Sequence, residues 1–281
     1  HKGGGFPLPC KMKISKAAGL SQPFLINGGK MYPDLKRLEK LTERYNRIPL
    51  YKEINVSMFD LLSIINSLRG EENFILLESS DRTSKAGRFS YLCFNPVALV
   101  TAYTDYVVEN INGVHKRSEE DIFTFLKRES SKYNSPDIEG FGDFNGGFTG
   151  YISYEAANQT GILRRKIKSG DKRPVAELLL IDDFIVYDNV MRKFFASTAV
   201  YTECTDFKTE VERAAGRLDE IENFLVSLVQ SSKINFLPSR PVDIKMEYTD
   251  SDSTFLKKVG SVKDEICAGE IIQGVISRRM A

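Results

Sequence analysis

Apolar and polar positions recur along most of the chain with spacings that predict short strands separated by a few helices. A helical spacing first appears in a stripe of four apolar residues, Leu35, Leu38, Leu41 and Tyr45. A second helix is predicted from Ser57 to Gly70, because Ser57 and Asp60 have the spacing of a capping box and glycine commonly ends a helix.

A series of apolar or alternating runs predicts strands. They cover residues 48–54, 74–79, 89–94, 98–104, 106–111, 114–116, 148–154, 176–187 and 192–199. Asn112-Gly113, between two of these runs, is typical of a tight hairpin turn. Several strands in succession, with helices between groups of them, predict an α+β fold that is rich in antiparallel sheet and has flanking helices.

Two helices are predicted in the second half of the strand-rich region. The first follows Ser118 and Asp121, which repeat the capping spacing, and it carries Ile122, Phe125 and Leu126 on its apolar face. The second covers residues 205–229, where apolar residues recur every three or four positions over a long stretch.

The pattern divides the chain into four parts. Residues 1–30 lack a periodic pattern and are expected to be a non-native or disordered leader before a native start at Met31. Residues 31–230 are expected to form one domain, and residues 231–248, which contain two prolines, a linker.

Residues 249–281 are predicted to be the beginning of a longer domain. A helix capped by Asp252 or Ser253 ends at Gly269, and residues 271–277 then form a mostly apolar strand. One helix and one strand cannot bury a core of their own, so this part is expected to be truncated.

The composition excludes several classes of partner. With 39 basic and 38 acidic residues the net charge is +1, which gives no general attraction to nucleic acid or anionic lipid. No apolar run approaches the roughly 18 residues that a membrane span requires. Four scattered cysteines without CxxC spacing predict small, buried, free thiols in a cytoplasmic protein. Two histidines support neither a His-rich metal site nor a catalytic triad.

A cluster of glycines, Gly146, Gly147 and Gly150, could be mistaken for a phosphate-binding loop. Such a loop must lead into the N-terminus of a helix, whereas these glycines lead into a run with strand character. Close packing of the backbone is therefore the predicted role of the cluster.

Four segments, in order, resemble the large-subunit family of anthranilate synthases. They are residues 49–54, then 74–79 with 87–91, then 146–155 with 183–188, and finally 268–279. The resemblance implies an N-terminal domain followed by the first helix and strand of a truncated α+β chorismate-binding domain. It also implies a whole enzyme that converts chorismate and ammonia into anthranilate and pyruvate.

The resemblance further implies a cofactor and a partner. Family members use Mg²⁺, which the missing C-terminal half is expected to bind, and a glutamine amidotransferase subunit supplies the ammonia. Most of the catalytic residues of the family also lie in that half. These 281 residues alone are therefore expected to have no synthase activity.

The resemblance implies a feedback site for L-tryptophan at the strand of residues 74–79. Ser79 and Glu78 would be polar contacts to the amino acid, and Leu77 would contact its apolar part. Arg88 would neutralise a carboxylate, either that of the ligand or that of Glu78, through its planar guanidinium.

Gln273 bears on the choice of reaction within the family. Relatives that add water to chorismate have a lysine at this place as the general base, and the amide of a glutamine cannot act as one. Gln273 is thus expected to be an active-site strand residue of the ammonia-using branch. That branch contains anthranilate synthase and, as an open alternative, aminodeoxychorismate synthase. An isochorismate or salicylate synthase is disfavoured by Gln273, and a stand-alone amino-acid-binding regulatory module is the remaining alternative.

Overall fold

The computed structural model describes residues 30–54, 64–65, 68, 74–78, 87–162, 173–204, 206–231 and 247–279. The chain divides into two compact units, which we call unit 1 (residues 1–233) and unit 2 (residues 234–281). The predicted leader lies outside the described residues, as do most of the predicted helix at 57–70 and most of the predicted linker at 231–248.

Unit 1 contains the described strands, which form two antiparallel sheets. Their bounds are β1 Met31–Tyr32, β2 Arg47–Ile54, β3 Ile75–Leu77, β4 Phe89–Cys93, β5 Ala98–Ala102, β6 Val107–Ile111, β7 Val114–Ser118, β8 Gly147–Ile152, β9 Ala176–Ile181, β10 Phe184–Asp188 and β11 Lys193–Tyr201. Sheet A has the order β1-β2-β11-β10-β4-β3, and sheet B the order β7-β6-β5-β9-β8. This arrangement confirms the predicted α+β class with antiparallel sheets.

Helices flank the sheets. They are α1 Leu35–Leu41, α2 Ile122–Ser130 and α3 Phe207–Ser231 in unit 1, and α4 Asp252–Cys267 in unit 2, with a 3₁₀ helix at Tyr154–Gln159. The apolar stripe of α3 packs on β11 and β2 of sheet A. Leu218, Ile221 and Leu225 of that stripe are completely or almost completely buried. Their burial is the main source of stability that a long amphipathic helix has in a globular protein.

Two further apolar clusters complete the core of unit 1. Aromatic rings fill the first, in which Tyr51 of β2 stacks on Phe141 with 4.0 Å between ring centroids. The second lies under sheet B, where Ile122 and Phe125 of α2 are fully buried beside Val107.

The apolar run at 176–187, predicted as strand throughout, is two strands in different sheets. β9 belongs to sheet B and β10 to sheet A, and the chain changes sheet at Asp182 and Asp183. Both aspartates are more than nine-tenths buried and both carboxylates are hydrogen-bonded to side chains of other elements. The predicted strand is therefore interrupted at Asp182 and Asp183, where the chain leaves sheet B and enters sheet A. The two buried carboxylates at this break accept hydrogen bonds from Arg47 and Thr198.

The helix caps differ from those predicted by one to three positions. Asp121 rather than Ser118 is the N-cap of α2, and its carboxylate accepts from the amides of Phe123 and Thr124. Ser251 rather than Asp252 or Ser253 caps α4. Each observed cap has extended backbone angles just before the first helical residue, and that geometry allows a side chain to reach the free amides.

The predicted strand at 271–277 is wrong. Residues 271–277 have no regular structure, and Ile272 and Val275 are 97% and 88% exposed. A β-strand forms only when a neighbouring strand satisfies its backbone groups, and no described strand pairs with this segment.

The prediction for the cysteines holds only in part. Cys93, Cys204 and Cys267 are all free thiols, but only Cys93 is buried, whereas Cys204 is half-buried and Cys267 exposed. Cys10 lies outside the described residues. Burial raises the pKa of the Cys93 thiol to about 12, which makes it an inert apolar side chain.

Candidate functional site

The candidate tryptophan site lies at one edge of sheet A. β3 is the last strand of the sheet and pairs with β4, with Leu77 opposite Tyr91. Because the two strands are antiparallel, the end of β3, which leads to Glu78, lies at the same end of the pair as the start of β4, which Arg88 precedes. Ser79 lies outside the described residues.

The side chains at the end of β3 alternate as the strand pattern predicts. Leu77 is half-buried and packs against the aromatic cluster that contains Tyr91 and Phe184. Glu78 is exposed. Successive residues of a strand face opposite sides, so the apolar member of this pair faces the core and the acidic member faces water.

Arg88 is held by Asp188, a residue to which sequence reasoning assigned no role. The Arg88 Nη2 donates to Asp188 Oδ2 at 2.6 Å, and Nε lies 3.2 and 3.1 Å from the two carboxylate oxygens. Asp188 is 1% exposed, and its Oδ1 also accepts from the amides of Val190 and Met191 at 2.9 and 3.0 Å. The carboxylate partner of Arg88 seen in the structure is therefore Asp188.

This ion pair stabilises the charged form of both members. Burial alone would raise the pKa of Asp188, but the hydrogen bonds from Arg88 and from the amides of Met191 and Val190 lower it below its usual range. Hydrogen bonding to Asp188 raises the pKa of Arg88, whose side chain remains 37% exposed. Among the described residues, none accepts a hydrogen bond from the Arg88 Nη1.

Two of the three glycines in the cluster, Gly146 and Gly150, have the close packing that the sequence predicts, whereas a Cβ at Gly147 would meet no atom within 4 Å. Gly146 has φ +88°, and a Cβ placed there would lie closer than 3.0 Å to both the Arg47 guanidinium and the Ile181 carbonyl oxygen. At Gly150 a Cβ would collide with the backbone of Glu177 on the neighbouring strand. Gly147 and Gly150 lie within β8 and not directly before a helix, so the cluster lacks the geometry of a phosphate-binding loop.

A buried polar network next to these glycines was not predicted. The Arg47 Nε and Nη2 donate to Asp182 Oδ1 at 3.0 and 2.7 Å, and Nη1 donates to the Asn145 carbonyl oxygen at 2.8 Å. The hydroxyl of Tyr201 donates to the second oxygen of Asp182 at 2.6 Å. Arg47 and Asp182 are separated by 135 residues in the chain, so sequence spacing carried no signal for their pairing.

Charge pairing dominates this network. Burial opposes the charge of Arg47, yet Asp182 and Tyr201 favour it strongly enough to raise its pKa above the usual value. Burial raises the pKa of Tyr201 well above its usual value, and the nearby negative charge of Asp182 acts in the same direction. Arg47 and Tyr201 belong to sheet A, whereas Asp182 follows the last strand residue of β9 in sheet B. The network therefore joins the two sheets.

Gln273 lies in unit 2, in the irregular segment that follows α4, and is exposed. The segment stays close to the helix, because a Cβ at Gly274 would collide with the side chain of Val262. Arg278 donates to Asp252 at 2.5 Å and lies over the ring of Tyr248 at 3.8 Å from its centroid. Gln273 therefore does not lie in a strand as predicted, and its role in an active site remains a prediction.

The described part of the chain offers no metal centre. Within it, no group of three or more His, Cys, Asp or Glu side chains is arranged to hold an ion, so the described residues provide no site that fits magnesium. Nor does any helix in the described ranges have both the length and the apolar character that a bilayer-spanning segment needs.

Comparisons with known proteins place these features in a family. Residues 72–281 match the family model described as chorismate binding enzyme. Anthranilate synthase component 1 of Pseudomonas aeruginosa is 27% identical over 251 residues, which is 87% of this chain and 50% of that protein. The protein of the same name from Saccharomyces cerevisiae is 26% identical over 268 residues, 90% of this chain and 50% of its own length.

A solved structure, anthranilate synthase component I from Streptococcus pneumoniae, shares 18% identity at a TM-score of 0.47 and covers 77% of this chain and 45% of its own. The chain thus spans about half the length of the curated relatives it matches. Because the family model covers more than half of the 281 residues, the chain belongs to the chorismate-binding enzyme family.

Proposed function

We propose that this chain is the N-terminal, feedback-regulatory part of an anthranilate synthase large subunit. The observation that carries the proposal is the alignment of 87% and 90% of the chain with relatives named anthranilate synthase component 1. The four segments that resemble this family lie in the same order along the chain and agree with that alignment.

The whole enzyme is proposed to convert chorismate and ammonia to anthranilate and pyruvate in a cytoplasmic complex. A glutamine amidotransferase subunit, component II, would supply the ammonia, and magnesium would be bound by residues outside this chain. Gln273 supports the ammonia-using branch, because a glutamine amide cannot deprotonate water as a lysine base can.

The edge of sheet A is proposed to contribute part of a site for L-tryptophan. Leu77 offers an apolar contact, Glu78 an exposed carboxylate for the ligand's ammonium group, and Ser79 a hydroxyl. Arg88 offers Nη1 to the ligand's carboxylate while its Nε and Nη2 remain on Asp188. This division of donors makes Arg88 a pre-positioned cation whose orientation is fixed before the ligand binds.

The reaction is tested with the gene extended to its natural stop codon. The purified product is incubated with chorismate, ammonium and Mg²⁺, and the compounds formed are identified by fluorescence and mass. Anthranilate is the expected result. Aminodeoxychorismate would place the protein in folate synthesis, and salicylate or isochorismate would overturn the inference from Gln273. The 281-residue chain alone is expected to form none of these.

The regulatory site is tested by calorimetry with L-tryptophan on the same full-length protein. Ser79→Arg, which blocks the site, and Arg88→Ala, which removes the cation, are expected to weaken binding at least tenfold. Arg117→Ala is the matched control, because Arg117 is also an exposed arginine paired with a carboxylate but lies on sheet B. Unchanged tryptophan binding in both test variants would refute the site. Micromolar binding by the 281-residue chain alone would favour a stand-alone module.

A further inference from the structure

The turn between β10 and β11, residues 189–192, lies beside Arg88, where the tryptophan site is proposed. β10 pairs with β4 on one side and with β11 on the other, and both pairs are antiparallel. Its last residue, Asp188, is opposite Phe89 of β4 and Lys193 of β11. Because Arg88 directly precedes Phe89, the turn is in hydrogen-bonding contact with the main chain of Arg88.

The turn holds the backbone of Arg88 through Asn189. The Asn189 amide donates to the Arg88 carbonyl oxygen at 2.8 Å, and the Asn189 Nδ2 donates to the same oxygen at 3.1 Å. Nδ2 also donates at 3.0 Å to the Oγ of Ser90, which is almost fully buried in β4. These hydrogen bonds fix the position of Arg88 relative to both the turn and β4.

The side chain of Arg88 is held by a carboxylate and by a ring. Its Nε and Nη2 donate to Asp188, and its guanidinium carbon lies 4.9 Å from the centroid of the Phe89 ring. A planar guanidinium that is bound to one carboxylate through two nitrogens has a defined orientation. Part of the side-chain entropy that a free arginine would lose when it binds a ligand has therefore already been lost on folding.

The carboxylate of Asp188 is itself fixed by the turn. Its Oδ1 accepts from the amides of Val190 and Met191, and the Asp188 carbonyl oxygen accepts from the amide of Arg192 at 2.7 Å. Asp188 is almost fully buried, so losing these hydrogen bonds would leave a buried charge poorly paired. The carboxylate is thus expected to keep its orientation whether or not a ligand is bound to Arg88.

Asp188 has two opposite effects on a ligand carboxylate that approaches Arg88. Its negative charge repels the ligand carboxylate, whereas its hydrogen bonds set the direction of the guanidinium. The Arg88 side chain is 37% exposed, so water and salt screen the repulsion. Screening does not reduce the benefit of a fixed orientation. We therefore expect the orientation of Arg88 to be the stronger of the two effects.

We propose, on the basis of the tryptophan site proposed above, that Asp188 and Asn189 are positioning residues of its carboxylate subsite. The ligand's carboxylate contacts Arg88, and neither Asp188 nor Asn189 touches the ligand. Asp188 sets the direction of the guanidinium, and Asn189 sets the position of the main chain from which that side chain extends. The turn between β10 and β11 thereby determines how well the site recognises a carboxylate.

L-tryptophan and L-tryptophanamide are the probes, because they share the indole ring and the amino group and differ in the carboxylate. Their affinities are measured by calorimetry on the protein made from the gene extended to its natural stop codon. The wild type is expected to bind tryptophan about tenfold more tightly than the amide, the effect of one charge-assisted hydrogen bond. Arg88→Ala should remove that difference between the two ligands.

The two positioning variants are expected to act on the carboxylate alone. Asp188→Asn should weaken tryptophan binding about fivefold to tenfold and change the affinity for the amide by less than about twofold. Asn189→Ala should weaken tryptophan binding about threefold, because the backbone amide of residue 189 still donates to Arg88. A merely structural role of either residue would weaken the binding of both ligands equally, and that result would overturn the proposal.

Glu119→Gln is the matched control. Like Asp188, Glu119 accepts from the Nε of an arginine, Arg117, at 2.7 Å, but this pair lies at the end of β7 in sheet B. Neither affinity is expected to change in this variant. If Asp188→Asn does not fold, Asn189→Ala decides the outcome, and an unchanged preference for tryptophan over the amide in Asn189→Ala would then refute the positioning role.

The same measurements separate a failure of the positioning role from a failure of the tryptophan site. If Arg88→Ala weakens tryptophan binding and Asp188→Asn leaves it unchanged or tighter, the positioning role is wrong and the site remains supported. If the wild type does not bind tryptophan, or if Arg88→Ala binds it as the wild type does, both proposals are overturned.

Discussion

At the scale of single residues, Asp188 shows how the fold uses a buried charge at the edge of sheet A. Its carboxylate accepts hydrogen bonds from Arg88 and from two backbone amides, and each of these hydrogen bonds favours the ionised form. Although burial opposes ionisation, the pKa of Asp188 in the folded protein is below its usual value. The resulting stabilisation is present above the pKa of an unfolded aspartate, about 3.9, and is lost as the pH falls through the lower folded pKa.

Asp188→Asn is expected to lower the free energy of unfolding by about 1–3 kcal/mol at pH 7, because the charge-assisted bonds to Arg88 and the amides are weakened. The difference from wild type should narrow as the pH falls below about 4, because the unfolded aspartate is protonated there while the folded carboxylate, whose pKa is lower, is still charged. It should disappear only when the pH is below the pKa of the folded carboxylate as well. Urea unfolding at a series of pH values measures both effects. Asp143→Asn, at an exposed position, is the control, and a difference that stays constant down to pH 3 would contradict the argument.

Gly146 and Gly140 allow backbone strain to be separated from close packing. Both have left-handed φ angles, +88° and +97°, but only Gly146 has neighbours where a Cβ would lie. Gly140→Ala is expected to cost about 1–2 kcal/mol from the backbone alone. Gly146→Ala is expected to cost about 1–3 kcal/mol more, because Arg47 and the Ile181 carbonyl would have to move. Equal melting temperatures of the two variants would show that the close approach is unimportant.

The residues that could be predicted from the sequence are those whose signal is local. The packing role of Gly146 and Gly150 followed from the strand character of the residues after them, and the structure confirms it. The partners of Arg47 and Arg88 could not be found in this way, because they lie 135 and 100 residues away in the chain. Only the pairing of strands brings such residues together.

At the scale of elements, the spacing of apolar residues predicts well which segments form strands and helices. Where each element ends depends on the segments that pack beside it. The run at 176–187 has one continuous apolar pattern, and the two adjacent aspartates inside it were the available sign that it changes sheet. Residues 271–277 have the composition of a strand but pair with no described strand. Whether a segment forms a strand thus depends on a second segment that pairs with it, and the sequence of the first segment alone does not show whether that partner is present.

The long helix α3 is joined to sheet A by an ion cluster as well as by its apolar stripe. Lys52 of β2 is 1% exposed, and its ammonium group donates to Asp219 at 2.5 Å and to Glu222 at 2.6 Å. Burial opposes the charge of Lys52, yet the hydrogen bonds that it donates to the two carboxylates raise its pKa above the usual value. Either carboxylate alone can keep the buried ammonium paired.

Asp219→Asn and Glu222→Gln are therefore expected to cost about 1 kcal/mol each, because Lys52 retains one carboxylate. The double variant should lower the free energy of unfolding by about 3–5 kcal/mol, more than the sum, because it leaves a buried cation without a counter-charge. Chemical denaturation of the wild type, the two single variants and the double variant gives the four free energies of unfolding that the double-mutant cycle requires. If the loss of unfolding free energy in the double variant equals the sum of the two single losses, the prediction is wrong. The Lys52 ammonium group would then be hydrated in the double variant.

At the scale of the whole molecule, burial is distributed unequally between the two units. Unit 1 holds the three apolar clusters, whereas α4 of unit 2 has no buried residue. The α+β class of unit 1 could be predicted because its strands and helices follow one another with clear periods. The helix α4 was predicted as well, yet none of its described residues is buried. An amphipathic pattern indicates which face of a helix can be buried and not whether it is buried.

Two leucines on these helices test where the stability of the chain resides. Leu218 of α3 is 0% exposed and Leu256 of α4 is 66% exposed, and alanine at either position changes helix propensity little. Leu218→Ala is expected to lower the free energy of unfolding by about 2–5 kcal/mol, through lost burial and a cavity. Leu256→Ala should stay within about 0.5 kcal/mol of wild type, because its side chain is already in water. Similar losses in the two variants, measured by urea unfolding, would contradict this, since they would require Leu256 to be packed in solution.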